Sequence, residues 1–350
     1  MWTAISLYLV AVSAVVSAGL AVMLRRLALR RGIVDSPRAR RIHRRAVPLL
    51  GGVAVAGAFT LVVGSHLALA SLVRLPLGAC GFSLLVMFAG GLLVALVGLW
   101  DELRGLSVRT RLVAEFAIAA AVVGLAIRPE LGFLPRPVAL LVGVVWLVGI
   151  TNAFNLIDGL DGLAAGLGAI ASAILGSLVL GAHPAAAVLL FCLAGACLGF
   201  LRLNWHPARM FLGSAGSLFI GYLLGCAAMI ATFATPTSNP LAPVVMPLLV
   251  FAVPLYDTAS VIVIRLRLGR SIFEGDLNHV HHRMMRLGLG HRRTVMLLYA
   301  LSLAFGIGAA QIARADLVGS GVVAAQVAAL VSIVAWLEAR SPALLPSSSR

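Results

Sequence analysis

The sequence predicts an all-α, polytopic integral membrane protein. Its 350 residues are 61% hydrophobic with a mean hydropathy of +1.06, and only 12 of them are acidic. This composition excludes a soluble globular protein, whose surface carries far more charge. Apolar runs of about 16 to 25 residues recur along the whole chain, and about 20 helical residues at 1.5 Å each cross the ~30 Å hydrocarbon core of a bilayer.

Eleven apolar runs are long enough to be membrane spans, and their boundaries are set to within about 2 to 4 residues. The first run is followed by arginines and lacks a small-residue cleavage site, which predicts an uncleaved anchor with the N-terminus outside. We expect one polytopic domain over residues 1–350, with 338–350 as a polar C-terminal tail. The predicted spans lie near 3–24, 49–73, 79–100, 112–127, 137–153, 162–182, 184–203, 215–234, 243–264, 295–313 and 317–337.

The arginines predict how these spans are oriented. All 27 basic residues are arginine, and 23 of them fall in the predicted inner loops and the C-terminal tail, which places the C-terminus in the cytoplasm. The net charge of +15 is therefore explained first by topology, and second by attraction for anionic lipids or substrates. No nucleic-acid partner is expected. The predicted inner loops are 25–48, 101–111, 154–161, 204–214 and 265–294.

The acidic residues gather on the same face of the membrane. An ionisable group near the bilayer is costly and usually has a partner or a function. Only Glu115, Glu130, Asp316 and Glu338 lie away from the inner loops and their rims. The other eight are Asp35, Asp101, Glu102, Asp158, Asp161, Asp257, Glu274 and Asp276. We therefore expect a functional site at the cytoplasmic boundary.

The first two inner loops offer phosphate and cation chemistry. In "DSPRARRIHRR", Arg40, Arg41 and His43 can bind phosphate oxygens, although a basic loop that only sets topology is the alternative. In "GLWDELRGLS", Asp101 and Glu102 are adjacent and repel each other unless a cation or a shared proton relieves them. A Mg²⁺ ion that holds substrate phosphates would do so, and a polar helix end that faces water is the alternative.

The third inner loop, "TNAFNLIDGLDG", brings four oxygen-bearing side chains together. Asn152, Asn155, Asp158 and Asp161 recur every three residues, which on a helix keeps neighbours on one broad face. The spacing does not fit an EF-hand, whose acidic positions lie two apart. A solvated loop is the alternative, but the two asparagines lie just inside an apolar span.

The fourth inner loop, "NWHPARMFLGSAGS", ends in a glycine–serine turn directly before an apolar helix. Small residues let backbone N–H groups approach an anion, so the turn around Ser214 resembles a phosphate cradle. Asn204 and Phe211 precede the turn, and an aromatic ring there suits stacking on a nucleotide base. A tight turn that only allows helices to pack is the alternative.

The fifth inner loop carries three histidines. Asp257 lies about two helical turns inside the preceding span, which suggests a pocket, and His279, His281 and His282 follow in "DLNHVHH". Helical zinc sites favour i, i+4 spacing, so donation to phosphate oxygens fits these histidines better. A charged amphipathic loop is the alternative.

Together the five stretches resemble the polyprenyl-phosphate N-acetylhexosamine-1-phosphate transferase family. The resemblance covers nearly the whole chain and lies in the order of the motifs, all on one membrane face. The motifs are D-S-P-R-A-R-R-I-H with P-L-L-G-G, the acidic pair before G-L-S, N-A-F-N-L-I-D-G-L-D-G-L, N-W-H-P-A-R-M-F-L-G-S-A-G-S and D-L-N-H-V-H-H.

The resemblance implies a membrane transferase in the bacterial cytoplasmic membrane, with its active site on the cytoplasmic face. A polyprenyl phosphate would attack the β-phosphorus of a UDP-N-acetylhexosamine, with Mg²⁺, or alternatively Mn²⁺, bridging the diphosphate. The histidine run and Asp257 favour the UDP-N-acetylglucosamine branch, and the UDP-muramoyl-pentapeptide branch is the alternative. A homodimer is one oligomeric state that the sequence leaves open.

The resemblance also implies roles for individual residues. Asp101 would orient or deprotonate the lipid phosphate, and Asn155, Asp158 and Asp101 would serve the metal. Asp101, Glu102, Asp158 and Asp161 form the predicted catalytic set. The predicted substrate-binding residues are Arg40, Arg41, His43, Asn152, Asn204, Phe211, Ser214, His279, His281 and His282.

Two positions depart from the family pattern. Glu102 stands where the family has the second aspartate of a pair, and Ser214 stands where the family has a metal-ligating aspartate. Because a hydroxyl is a poorer Mg²⁺ ligand than a carboxylate, Glu102 or Asp158 would have to reach the ion instead. A non-catalytic homologue that binds polyprenyl phosphate or a UDP-sugar is the alternative. A transporter is disfavoured because the spans lack a polar path.

Overall fold

The structure is a computed structural model that describes residues 1–35, 46–72, 80–127, 134–231, 242–312 and 317–339. Arg40, Arg41 and His43, which are predicted to bind phosphate, lie outside these residues, as does the tail from residue 340. Within them the chain is helical apart from one two-stranded antiparallel ribbon, in which Val34–Asp35 (β1) pairs with Val47–Pro48 (β2). The all-α prediction is confirmed.

The helices follow the apolar runs of the sequence. In chain order, the described residues form α1 (Trp2–Arg31), α2 (Gly51–Leu72), α3 (Cys80–Arg104), α4 (Val108–Leu125), α5 (Arg136–Ile157), α6 (Leu163–Val179), α7 (Pro184–Asn204), α8 (Gly213–Ala231), α9 (Ala242–Val250), α10 (Ala252–Arg267), α11 (Val280–Arg286), α12 (His291–Ile312) and α13 (Leu317–Ala339).

Eight of the described helices are long and apolar enough to cross a membrane, namely α1, α2, α3, α5, α7, α8, α12 and α13. Helices α9 and α10 meet at 83° and together can form a ninth span, where the sequence predicts one straight span over 243–264. The two remaining predicted spans fall on α6, which has 17 residues, and on α4, which carries Arg109, Arg111 and Glu115. The polytopic architecture is confirmed, while the count of eleven and the orientation stay predictions.

The chain divides into two compact units, Met1–Phe233 and Ala234–Arg350. The first contains α1 to α8, and the second contains α9 to α13. A single domain over residues 1–350 stays a prediction.

Glycines bring α2 and α3 against the beginning of α8. A Cβ atom on Gly52 would lie 2.0 Å from the backbone nitrogen of Gly216, and one on Gly98 would lie 2.5 Å from the carbonyl oxygen of Ser214. Neither position accepts a larger residue unless the backbone shifts. This close packing places the C-terminal end of α3, which carries Asp101 and Glu102, beside the first turn of α8.

Candidate active site

The Glu102 carboxylate lies over the first turn of α8. Its Oε1 accepts a hydrogen bond from the backbone N–H of Ala215 at 2.7 Å. Gly213 begins the helix with a φ of +71°, and a Cβ atom there would lie 2.3 Å from Oε1, so only glycine leaves room for the carboxylate. The other oxygen, Oε2, is buried and has no hydrogen-bond partner among the described residues. The helix N-terminus attracts the negative charge, but half of the carboxylate is left unsatisfied.

Asp158 brings a second carboxylate to this turn. It caps the C-terminal end of α5, where the following glycine ends the helix, and it accepts a backbone hydrogen bond from Gly213. Burial and, to a smaller extent, the neighbouring Glu102 carboxylate raise the pKa of Asp158 to about 8, against the effect of the Gly213 hydrogen bond. A buried site that holds two carboxylates without a countercharge favours binding of a cation.

Asn155 is placed beside the same turn. Its Nδ2 donates to Ser217 Oγ at 2.9 Å, and Ser217 Oγ donates to the carbonyl oxygen of Gly213, also at 2.9 Å. Because the amide nitrogen is used in this way, the amide oxygen of Asn155 is the atom that can ligate a metal. Ser214 lies on the first turn of α8, below the Glu102 carboxylate.

Asn204 and Asp161 hold the loops around the site. Asn204 is 3% exposed, accepts from the N–H of Gly162 at 3.0 Å and donates to the carbonyl oxygen of Met210 at 3.0 Å. These bonds tie the loop after α5 to the loop before α8. Asp161 Oδ2 lies 2.7 Å from Nδ1 of His206, a residue outside the predicted set, and accepts from the N–H of Ala208 at 3.0 Å. The contact of Asn204 with a nucleotide stays a prediction.

Phe211 lies on the loop that leads into α8. Its backbone N–H donates to the carbonyl oxygen of Pro48 in β2 at 3.0 Å. The ribbon thereby fixes the position of the phenylalanine before the glycine–serine turn. Stacking of its ring on a base stays a prediction.

Asp101 belongs to a different group of polar side chains. Its Oδ2 accepts from Arg111 NH1 at 2.9 Å, and its Oδ1 accepts from the backbone N–H of Leu106 at 2.9 Å. Asn152 is also in this group, since its Nδ2 donates to Glu115 Oε2. The structure thus brings Glu102, Asp158 and Asn155 together at α8 and separates Asp101 and Asn152 from them. Sequence reasoning did not select Glu115, because a lone carboxylate in an apolar run names no partner.

In the second unit, Asp257 holds the histidine run from α10. Asp257 is fully buried, its Oδ2 lies 2.7 Å from His279 Nδ1, and its Oδ1 accepts from the N–H of Val280 at 2.5 Å. The His279 ring stacks on the His281 ring with their centroids 5.5 Å apart, and the ring centroids of His281 and His282 lie 4.3 Å apart. The pocket that the position of Asp257 suggests in the sequence is thus filled by His279.

The two later histidines are neutral at pH 7. Burial and the neighbouring His282 and His279 hold the pKa of His281 well below its usual value. Burial and the neighbouring His279 and Arg286 lower the pKa of His282 to about 4. His281 is 1% exposed, and neither of its ring nitrogens has a hydrogen-bond partner among the described residues. A buried imidazole in this state can still donate one N–H and accept one hydrogen bond.

A buried ion pair braces the loop before the histidines. Arg265 Nε donates to Asp276 Oδ2 at 3.0 Å, and Arg265 NH1 donates to the carbonyl oxygen of Ile272 at 2.7 Å. Burial opposes ionisation of Asp276, but the bonds from Arg265 and from the N–H of Asn278 outweigh it and lower the pKa of this carboxyl. Asp257 on α10 thus holds His279 directly, while Asp276 fixes the loop that precedes the histidines.

Comparison with known proteins gives consistent relatives. The family model of glycosyl transferase family 4 matches residues 84–232. A Bacillus subtilis (strain 168) protein named probable undecaprenyl-phosphate N-acetylglucosaminyl 1-phosphate transferase is 31% identical over 303 residues, which cover 82% of this chain and 79% of the relative. A Mycolicibacterium smegmatis protein named decaprenyl-phosphate N-acetylglucosaminephosphotransferase is 35% identical over 309 residues, which cover 78% of this chain and 73% of the relative.

A third relative comes from Yersinia pestis and is named undecaprenyl-phosphate alpha-N-acetylglucosaminyl 1-phosphate transferase. It is 30% identical over 292 residues, which cover 78% of this chain and 75% of the relative. The similarity extends along most of each chain, and the family model spans most of α3 and all of α5 and α8. The chain belongs to glycosyl transferase family 4, with the polyprenyl-phosphate N-acetylhexosamine-1-phosphate transferases.

Proposed function

We propose that the chain transfers N-acetylglucosamine 1-phosphate from UDP-N-acetylglucosamine to a polyprenyl phosphate. A phosphate oxygen of the lipid forms a bond to the β-phosphorus, the bond from that phosphorus to the bridging oxygen breaks, and UMP leaves. The products are polyprenyl-diphosphate-N-acetylglucosamine and UMP. The observation that carries the proposal is the pair of carboxylates, Glu102 and Asp158, at the first turn of α8 in a chain whose relatives are named for this reaction.

The residues at this turn fit a divalent cation. The family generally depends on a divalent metal. The unsatisfied Oε2 of Glu102 and the raised pKa of Asp158 both reflect negative charge that a bound cation would neutralise. Glu102, Asp158 and the amide oxygen of Asn155 would hold it, and oxygen ligands of this kind suit Mg²⁺ and also Mn²⁺. When bound, the ion would neutralise charge on the diphosphate.

The position of Glu102 supports a metal site that is active although the family's aspartate on α8 is missing. The family's aspartate at position 214 is absent, but the longer side chain of Glu102 delivers a carboxylate to the same turn and bonds to the N–H of Ala215. Ser214 therefore does not leave the turn without an acidic group. The buried and unsatisfied Oε2 atom of this carboxylate supports a bound cation at the turn, and turnover separates the transferase from the non-catalytic alternative.

The other polar residues would position the two substrates. Phosphoryl transfer needs alignment and charge neutralisation more than covalent help from protein. Asp101 would orient the lipid phosphate and accept its proton. In the second unit, the neutral rings of His281 and His282 would donate N–H groups to phosphate oxygens, while Asp257 fixes the tautomer of His279. Phe211 would stack on the uracil.

The placement in the cell follows from the substrates. The chain is a multi-pass bacterial membrane protein, and we place its active site at the cytoplasmic face of the cytoplasmic membrane. The lipid phosphate arrives along the bilayer and the UDP-sugar arrives from water, so both meet at the boundary. The clustering of arginines in the loops of that face supports this orientation.

The test uses the purified full chain in detergent or nanodiscs. The protein receives UDP-N-acetylglucosamine labelled in the sugar, undecaprenyl phosphate and Mg²⁺. We expect UMP release and lipid-soluble label, both dependent on the lipid phosphate and on the metal. UDP-N-acetylmuramoyl-pentapeptide serves as the control donor and should give no product. Binding of UDP-sugars without any turnover would instead support the non-catalytic homologue.

A further inference from the structure

A chain of buried polar groups joins the ends of α3, α4 and α5. Arg111 on α4 donates from NH1 to Asp101 Oδ2 at 2.9 Å. The Nε atom of the same guanidinium lies 3.5 Å from Glu115 Oε1, one helical turn further along α4. Asn152 on α5 completes the chain with hydrogen bonds from Nδ2 to Glu115 Oε2 and to the carbonyl oxygen of Val148. Two carboxylates thus share one arginine.

Glu115 has no role in the reaction as described above. It is 2% exposed on α4, where a buried carboxylate is costly unless it is paired. Its partners are Arg111 and Asn152, and neither of them requires an acid at this position for the helix to form. The second carboxylate therefore needs an explanation beyond folding.

Asp101, in contrast to Glu115, has a proposed role in the reaction but is already paired in the structure. Both of its oxygens are already bonded, one to Arg111 and one to the N–H of Leu106. When Asp101 takes a proton from the lipid phosphate, its negative charge is neutralised and its ion pair with Arg111 is lost. In a low-dielectric site an arginine that loses its only carboxylate partner would be left unpaired, and this makes the exchange unfavourable.

We propose that Glu115 is a positioning residue that keeps Arg111 paired while Asp101 exchanges this arginine for the substrate. The inference rests on the proposed function, since it assigns Asp101 to the lipid phosphate. Glu115 Oε1 pairs with Nε across 3.5 Å by charge, without a hydrogen bond, and NH1 is the atom that Asp101 releases and that a phosphate oxygen can then occupy. Asn152 fixes the Glu115 carboxylate from α5, so the guanidinium stays in place through the exchange.

The test is a double-mutant cycle on steady-state UMP release. With Glu115→Gln, Asp101 becomes the only carboxylate partner of Arg111, and we expect kcat/KM for the lipid phosphate to fall about tenfold, in the range of contacting pairs. In an Arg111→Gln background, Glu115→Gln should add no further loss. The Glu274→Gln variant, which removes an exposed carboxylate 4.0 Å from Arg270, is the control and should keep the wild-type rate.

The outcomes separate this inference from the proposed function. Absence of turnover in the wild type would contradict the function itself. Turnover in the wild type with an unchanged rate in Glu115→Gln, or losses that multiply in the double variant, would overturn the role of Glu115. If the Glu115→Gln variant fails to fold, the double variant Arg111→Gln with Glu115→Gln takes its place, because it removes both charges of the pair and leaves neither of them buried without a partner. Its kcat/KM must then equal that of Arg111→Gln alone.

Discussion

Glu102 places its carboxylate on the N-terminal turn of α8, beside Asp158. The contact depends on the reach of the side chain, because Oε1 bonds to the N–H of Ala215 while the backbone of Glu102 remains on α3. An aspartate at position 102 would be shorter by one methylene. The longer side chain of Glu102 thus reaches the turn at which Ser214 stands in place of the family's aspartate.

The first prediction concerns metal binding by Glu102. We expect Glu102→Gln to weaken Mn²⁺ binding at least about tenfold, because it removes one of two acidic ligands and leaves the size of the side chain unchanged. Electron paramagnetic resonance of free Mn²⁺ in titrations of the purified protein measures this without any turnover. Glu274→Gln is the matched control, and equal affinities of all three proteins would rule out Glu102 as a ligand.

The sequence identifies Glu102 and Ser214 as unusual but does not say where their side chains meet. The two positions are more than 100 residues apart, and only the packing of Gly98 against the carbonyl of Ser214 brings them together. The acceptor of the Asn152 amide, Glu115, lies 37 residues away on another helix.

At the scale of elements, the site depends on how closely α3 approaches α8. A Cβ atom at Gly98 would lie 2.5 Å from the Ser214 oxygen and 2.7 Å from the Ala215 Cα atom, so a side chain there must push the two helices apart. Since Glu102 lies one helical turn further along α3, any such shift moves its carboxylate away from the N–H of Ala215.

The second prediction follows from this packing. Gly98→Ala should lower the free energy of unfolding by about 1–3 kcal/mol, as overpacking does, and reduce UMP release by at least about fivefold. Thermal unfolding in detergent and the transferase assay measure the two effects. Gly124→Ala on α4 is the control, because a Cβ atom there meets nothing within 4 Å, and it should leave both unchanged or raise stability slightly. Equal behaviour of the two variants would contradict the packing.

The sequence predicts the end of α5 better than the bend between α9 and α10. The Asp–Gly steps in the third loop indicate where α5 ends, and the structure ends this helix at Ile157 with Asp158 as its cap. The apolar run over 243–264 predicts one straight span, but the helix breaks between Val250 and Ala252. Residues 248–255, L-L-V-F-A-V-P-L, carry no charged or hydrogen-bonding side chain across the break, so hydropathy alone could not locate it. Pro247 and Pro254 are the residues that disfavour a continuous helix there.

At the scale of the whole molecule, the fold class followed directly from composition. A chain with 61% hydrophobic residues has too little polar surface for water, and its backbone can be satisfied in lipid only as helices or a closed barrel. The lengths of the apolar runs favour helices. The division into Met1–Phe233 and Ala234–Arg350 falls at a short polar, proline-containing stretch, T-P-T-S-N-P at 235–240, which hydropathy does not mark as a boundary because apolar runs continue on both sides of it.

The third prediction concerns how the buried histidines change stability with pH. Folding lowers the pKa of His282 from 6.5 to about 4 and lowers that of His281 as well, so between these values the two histidines bind more protons in the unfolded chain than in the folded chain. Their contribution to stability should therefore fall as the pH drops from about 6.5 towards 4, while Asp158, whose pKa the fold raises to about 8, contributes in the opposite direction. Thermal unfolding at several pH values measures this dependence.

The matched variants are His282→Asn and His183→Asn. The melting temperature should fall between pH 7 and pH 5 by at least about 2 °C less in His282→Asn than in the wild type. A change of about 1 kcal/mol in the free energy of unfolding shifts the melting temperature of a large domain by a few degrees. His183 precedes α7, and its replacement should leave the slope of the wild type. A slope that is unchanged by His282→Asn would show that this histidine is not kept neutral by the fold.

The central claim is that a carboxylate on α3 replaces the missing aspartate on α8 in an active transferase. UMP release from UDP-N-acetylglucosamine, undecaprenyl phosphate and Mg²⁺ tests it in four proteins: the wild type, Glu102→Gln, Ser214→Asp, and Glu102→Gln with Ser214→Asp. We predict turnover in the wild type, a loss of about 100-fold in Glu102→Gln and recovery of about tenfold when Ser214→Asp is added. An inactive wild type that gains turnover with Ser214→Asp would contradict the claim and identify a silenced site.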